Sequence, residues 1–276
     1  MKNKKVILIT GASAGIGHAT AKDLILKGHI VYCAARSTDK MEDLKSLGGH
    51  IIKLDITKEE EIQSCVDQVI AEQKKIDVLW NNAGFGLYGS VEETSIEDAR
   101  YQFEVNLFGL ARITQLITPY MREQKKGLII NTSSMAGKVY TPLGAWYHGT
   151  KHALEGFSDC LRFELAPFGI DVVLLEPGAI NTEFGDVMIA PMVERSGHGP
   201  YKKLARAMEK AANENYSRPN GASPVSLISK TVQKIIDSKK PKTRYLVGKY
   251  AKPMVGLRRI FGDRVYDCAL KVMVKA

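Results

Sequence analysis

Apolar positions along the chain fall into short, closely spaced runs separated by longer segments with helical periodicity. Lys5 to Thr10 is a compact apolar run that turns Gly-rich at its end, the pattern of a buried strand feeding a helix. A helix is predicted from Ile16 to Lys27, with Gly28 as its stop. Further strands are predicted at Ile30–Ala35, Ile51–Leu54, Ile76–Trp80, Leu128–Asn131 and Ile170–Leu175. Between them lie helical segments at Lys40–Leu47, Lys58–Lys74, Ile96–Gln124 and Ala145–Ala166.

This alternation implies an α/β fold, a doubly wound parallel sheet with helices on both faces. Ligands of such sheets bind beyond the carboxyl ends of the strands. After Pro177-Gly178 the pattern loosens. Asn181 to Ser223 reads as a long irregular segment, with a turn at Pro219-Asn220-Gly221, and is expected to form a substrate lid. No internal repeat or linker divides residues 1–276, which are assigned to a single domain, with 250–276 as a C-terminal extension.

Composition narrows the class. A chain of 276 residues with 45% hydrophobic content can bury a large core. The basic start, Met1 to Lys5, precedes an apolar run too short for a signal sequence, and no stretch approaches the roughly 18 apolar residues of a membrane span. Cys33, Cys65, Cys160 and Cys268 lie far apart without metal-ligand spacing, so a reducing, cytoplasmic setting is expected. The net charge of +9 is concentrated at the end of the chain. Residues 241–276 carry nine basic side chains against Asp263 and Asp267. Because these charges alternate with apolar residues and no nucleic-acid motif accompanies them, a solvated face is preferred to a patch for acidic membranes or nucleic acid.

Three motifs carry chemistry, each at a strand end or on the helix that follows. The first, Gly11-Ala12-Ser13-Ala14-Gly15-Ile16-Gly17, joins a strand to a helix. Its glycines allow tight turning, and the helix start offers free N–H groups to a diphosphate, although an ordinary Gly-rich turn has the same composition. The second, Asn81-Asn82-Ala83-Gly84, follows the fourth strand. The third, Tyr147-x-x-x-Lys151, places a phenol and an ammonium on one helix face, where the cation favours the phenolate. A second copy at Tyr245 and Lys249 falls in an expected edge strand, where i and i+4 are about 13 Å apart, and is set aside.

Together, in this order and spacing from Lys5 to Thr182, these motifs resemble the short-chain dehydrogenase/reductase family. The resemblance implies a Rossmann-type domain and hydride transfer between a nicotinamide cofactor and an alcohol or carbonyl. It assigns catalytic roles to Asn106, Ser134, Tyr147 and Lys151, with Ser134 thirteen residues before Tyr147. Ser134 would hold the substrate oxygen and Asn106 a water linking Lys151 to solvent. Ser133 is the alternative serine, expected to point the other way. The implied cofactor contacts are Gly11, Ser13, Gly15, Ile16, Gly17, Asp55, Asn82, Ala83, Gly84, Tyr147, Lys151, Pro177, Gly178, Ile180 and Thr182. Asp55 resembles the family's adenine-contacting acid, but a turn or helix-capping residue would look the same.

The second strand ends in Ala35-Arg36-Ser37-Thr38, with no acid before Asp39. An acid there would bond the 2′-hydroxyl of NAD and repel a 2′-phosphate, whereas Arg36 can pair with that phosphate, so NADP(H) is expected. His148 and His152 are expected to point away from the catalytic pair, as packing or surface residues.

Large side chains near the expected mouth, among them Phe85, Tyr88, Tyr140, Trp146, Phe184 and Met188, suit a bulky apolar small molecule. Within the family the chain looks most like hydroxysteroid dehydrogenases and other members acting on steroid, retinoid or lipid-like carbonyls. Two other functions fit the sequence less well. The complete set of four catalytic residues argues against an idle NADP-binding sensor. The glycine spacing and the lack of a longer C-terminal domain argue against a nucleotide-sugar epimerase or dehydratase. The resemblance implies a homodimer or homotetramer. The C-terminal extension is expected to cover the cleft or a neighbouring subunit. Attachment to an anionic membrane is less favoured, because Gly256 and Gly262 would break a long helix.

Overall fold

The computed structural model describes residues 4–217 and 221–274. Pro219 and Asn220 of the expected turn, the first three residues, and Lys275 lie outside the described residues.

The chain runs β1 (Val6–Thr10), α1 (Gly15–Leu26), β2 (Ile30–Ala35), α2 (Glu42–Ser46), β3 (His50–Lys53), α3 (Glu59–Gln73) and β4 (Val78–Asn81). It continues through α4 (Ile96–Phe103), a π-helical segment (Glu104–Phe108), α5 (Gly109–Glu123), β5 (Gly127–Thr132), α6 (Ala145–Leu165) and β6 (Ile170–Pro177). Then follow α7 (Phe184–Ser196), α8 (Lys202–Ser217), α9 (Ser226–Asp237), β7 (Arg244–Val247) and α10 (Ala251–Val274). The strands form one sheet in the order β3-β2-β1-β4-β5-β6-β7, parallel throughout.

Alternation along each strand sends side chains to two separate cores. Ile7, Ile9, Cys33 and Trp80 pack beneath α1 and α9, with Leu24, Ile228 and Val232. Val6, Leu8, Tyr32 and Leu79 pack beneath α3 and α5, with Val66, Ile113 and Ile117. Burial on both faces explains why the strands read as continuous apolar runs. The chain reverses winding direction between β1 and β4, which opens a crevice above their carboxyl ends, where such sheets bind ligands.

Three expectations are corrected. The predicted single helix from Ile96 to Gln124 is split by the π segment, where the side chain of Asn106 turns inward to bond the backbone of Phe85. The region from Asn181 to Ser223 is mainly helical, not irregular. Ile189, Met192 and Ala205 of α7 and α8 are buried against Tyr88 and Tyr147, and that burial stabilises both helices in place. In α10, Gly256 continues the helix, and only Gly262 (φ 76°, ψ −179°) breaks it. No helix among the described residues is long and apolar enough to cross a membrane.

Candidate active site

The end of β1 sets one wall of the site. Gly11 adopts φ 70°, and a Cβ on it would lie 2.7 Å from the Ala83 Cα, so β1 and the β4 loop meet backbone to backbone. The Thr10 Oγ1 accepts from the amides of Asn82 (3.0 Å) and Ala83 (3.1 Å), and the Asn82 amide donates back to the Gly11 carbonyl at 3.1 Å. Gly17 packs within the first turn of α1, where a Cβ would strike the Gly11 carbonyl and come 2.5 Å from the Asn82 Nδ2. These contacts hold the start of α1 against the sheet.

That start is left open. Ala14 caps α1 with no side-chain hydrogen bond, and the first turn carries no acid. It presents an electropositive end to a cleft of about 480 Å³. Of the catalytic and cofactor residues predicted from the sequence, all but Gly17 and Asn106 line this one cleft. At its far rim the exposed Arg36 guanidinium donates to the Tyr101 hydroxyl at 2.9 Å. Asp55 accepts from the Thr57 amide (3.1 Å) and hydroxyl (2.8 Å), which makes it a turn residue as well as a cleft residue. Burial alone would raise its pKa. The two Thr57 bonds and the nearby Arg36 outweigh that, and the carboxyl sits below its ordinary value.

This wall fits a dinucleotide. The open helix start could hold its phosphates, Arg36 stands at the rim of the same cleft, and the buried Asn82 Oδ1 has no protein partner among the described residues. Gly11, Gly15, Ala83 and Gly84 leave backbone accessible, while Pro177, Gly178, Ile180 and Thr182 form the opposite lip at the end of β6.

The other half of the cleft is built on α6. Tyr147 and Lys151 are both buried on its inner face, and the Lys151 Nζ lies 5.9 Å from the Tyr147 ring centroid. Lys151 is only 5% exposed and donates to the Thr132 carbonyl at 2.8 Å. Burial pulls its pKa down to about 8, against a smaller upward pull from Glu155. The Ser134 Oγ accepts from the Ala136 amide at 3.1 Å and donates to the Pro177 carbonyl at 3.4 Å, at the mouth of the same cleft. The Ser133 Oγ is turned toward Gly137, where a Cβ would approach it to 2.9 Å. Tyr245 stands on the outermost strand, packed into the other core, and takes no part in this site.

Asn106 lies behind the cleft. Its Nδ2 donates to the Phe85 carbonyl (3.0 Å) and the Thr150 hydroxyl (3.1 Å), and its Oδ1 accepts from the Phe85 amide (3.1 Å). A Cβ on Gly84 would lie 3.0 Å from that oxygen and 3.8 Å from the Lys151 Nζ, so both groups converge on Gly84. The amide therefore spends its bonds on holding the Gly84–Phe85 turn.

His148 is a packing residue of unusual weight. Its Nε2 accepts from the Thr141 amide at 3.0 Å and its Nδ1 donates to the Ala136 carbonyl at 3.0 Å, which requires the neutral ring. Burial lowers its pKa, in agreement with that tautomer. It thereby clamps the 136–141 loop onto α6. His152 donates to the His148 carbonyl and stays outside the cleft. Phe85, Tyr88, Phe184 and Met188 line the cleft as expected. Trp146 does not: it lines a separate groove beside α4. Tyr140 instead packs against Tyr266 of α10. Met135, Val139 and Thr141, absent from the expected mouth, complete the wall. Their loop carried no periodic signal that could have revealed them.

Residues 5–190 match the family model for short chain dehydrogenases. The uncharacterized oxidoreductase YusZ of Bacillus subtilis (strain 168) is 34% identical, with 98% of each chain covered. A 3-ketodihydrosphingosine reductase of Bacteroides thetaiotaomicron is 35% identical, with 88% of each chain covered. The closed form of a serine dehydrogenase in complex with NADP+ superimposes with a TM-score of 0.77 at 28% identity, covering 88% of this chain and 94% of that one. Other structural neighbours are complexes with NADP or with NAD.

Proposed function

The chain belongs to the short-chain dehydrogenase/reductase family, and from that premise we propose an NADP(H)-dependent enzyme that interconverts a bulky apolar alcohol and its carbonyl compound. One observation carries the reading: Tyr147 and the buried Lys151 share a face of α6 inside a cleft whose far end bears the open start of α1 and Arg36.

When bound, the cofactor supplies or accepts the hydride. The chain's residues handle the proton and the geometry. The Tyr147 hydroxyl gives its proton to the substrate oxygen during reduction and takes it back during oxidation. A phenol of ordinary pKa near 10 is a weak donor and a weaker base at neutrality. Lys151, still charged at neutral pH with a pKa of about 8, stabilises the phenolate from the same helix face. Ser134 donates a second hydrogen bond to the oxygen as charge develops on it. Asn106 keeps the Gly84–Phe85 turn in register with Lys151.

The preference for NADP(H) rests on Arg36 and on the lack of a carboxylate at the tip of β2. The likeness to a structure holding NADP+ supports it. The apolar substrate rests on Phe85, Tyr88, Val139, Phe184 and Met188 around the catalytic end of the cleft. The likeness to a relative named 3-ketodihydrosphingosine reductase supports that class. Self-association as a homodimer or homotetramer is part of the reading, supported by the exposed Phe108 and Phe163. A reducing, cytoplasmic setting suits four cysteines that are all free.

Consumption of NADPH with a homologous series of ketones tests the substrate class. Each added methylene is worth about 0.8 kcal/mol, so kcat/KM should climb about fourfold per carbon until the cleft is filled. A best substrate that is small and charged, such as a free amino acid, would overturn the apolar reading.

A further inference from the structure

α10 has two faces with opposite fates. Tyr266, Leu270 and Val274 form the buried line, and Tyr266 and Leu270 are seated with Val139 and Tyr140 beside the cleft. The Arg258 guanidinium donates to the Lys138 carbonyl at 2.8 Å, the Tyr266 hydroxyl to the Tyr140 carbonyl at 3.1 Å, and the Tyr140 hydroxyl to Asp267 at 2.7 Å. The helix is therefore fixed to the loop that walls the cleft. Its outer side is not covered. At the Gly262 break the chain turns a corner, and Ile260 and Phe261 project there with 73% and 61% of their surface exposed. Val265 and Val272, a heptad apart on the outer side, continue the apolar strip and are also exposed.

Charge decides what fits this strip. Arg258 and Asp263 pair with each other, and Asp267 is engaged by Tyr140. Arg259, Arg264 and Lys271 flank the strip, exposed, with no ion pair among the described residues. A second copy meeting this face across a two-fold axis would bring that basic rim against itself. An anionic lipid surface neutralises it, while the apolar corner enters the boundary between headgroups and acyl chains. The break at Gly262, which counts against one long surface helix, is what makes the corner protrude.

We propose that the Gly262 corner of α10 docks the enzyme on an anionic lipid surface through Ile260 and Phe261, flanked by Arg259, Arg264 and Lys271, with the cleft held alongside. This inference goes beyond the proposed activity and does not depend on it. Co-sedimentation of the full-length protein with phosphatidylglycerol-rich vesicles and with phosphatidylcholine vesicles tests it. Binding is expected only to the anionic vesicles and should weaken as salt is raised. Replacing both Arg259 and Arg264 by Gln should lower the partition coefficient about thirtyfold, at about 1 kcal/mol per charge. Phe261→Ser should also lower it. Both variants should unfold at the wild-type temperature, because these side chains are exposed. Equal binding to both vesicle types, no binding, or binding that ignores these substitutions would overturn the proposal. A dimer seen by light scattering that Phe261→Ser dissociates would assign the strip to a second copy instead.

Discussion

Removing the Asn106 side chain tests how far the site depends on groups that never touch a substrate. Asn106 is 1% exposed and makes three hydrogen bonds, two to the backbone of Phe85 and one to Thr150. Asn106→Ala deletes all three. The Phe85 carbonyl keeps a partner, because the Gln102 Nε2 also donates to it at 2.9 Å. The Phe85 amide and the Thr150 hydroxyl lose one each, at about 1 kcal/mol apiece. A loss of about 2 kcal/mol lowers the unfolding midpoint by about 4–8 °C in a domain of this size. The turn freed by the change begins at Gly84, next to the Lys151 Nζ, so the ammonium loses its register with the Tyr147 phenol. A displacement of about 1 Å can cost about a hundredfold in rate. The assay is thermal unfolding with and without NADPH, followed by steady-state kinetics. The expected result is a lower midpoint and a large fall in kcat, with the KM for NADPH little changed. A variant that melted like the wild type and turned over normally would refute the positioning role.

Arg36→Asp should reverse or erase a preference for NADPH over NADH, raising the KM for NADPH at least about tenfold, the value of one charge-assisted hydrogen bond. Equal catalytic efficiency of the unmodified enzyme with both cofactors would contradict this. Glu176, 3% exposed at the end of β6, has its pKa raised by burial and by the neighbouring Glu155, against the opposing pull of Lys138 and Arg244. A folded pKa above the unfolded one adds stability that is present in acid and lost as pH rises through the raised value. Unfolding measured from mildly acidic to mildly basic pH should show that loss, and Glu176→Gln should flatten it. An identical pH slope in both proteins would count against a protonated Glu176.

Periodicity made most of the sheet legible, because the inner strands bury both faces and so read as apolar runs, while the edge strands β3 and β7 are only partly buried. β2 matches its expected limits, and β3 through β6 shift by a residue or two, since apolar runs do not mark where pairing stops. The π segment was not legible. It arises from a long-range contact between Asn106 and Phe85 that no local pattern encodes. The two helices after Thr182 were obscured by Gly197 and Pro200 between them and by Pro191 inside α7, although Leu204, Met208 and Ala212 repeat at helical spacing. The glycines and the Tyr147/Lys151 pair could be read because their chemistry demands fixed local spacing. Thr132 could not, since it acts through a backbone carbonyl that any residue would supply. Nor could the weight of His148, whose partners Ala136 and Thr141 come from a loop without periodicity. Glu155 stands four residues beyond Lys151, a visible spacing. Its burial beside Lys138 and Arg244 depends on the meeting of α6, β6 and β7.

In the proposed mechanism the Tyr147 hydroxyl moves the proton while the rest of the cleft binds and orients. Tyr147→Phe removes one oxygen and leaves the ring that packs against Tyr88 and Phe184. Its turnover should fall by about 10²–10⁴, the usual contribution of a placed general acid. NADPH affinity, followed by fluorescence titration of the same preparation, should stay close to that of the wild type. Near-normal turnover in Tyr147→Phe, with NADPH still bound, would contradict the account.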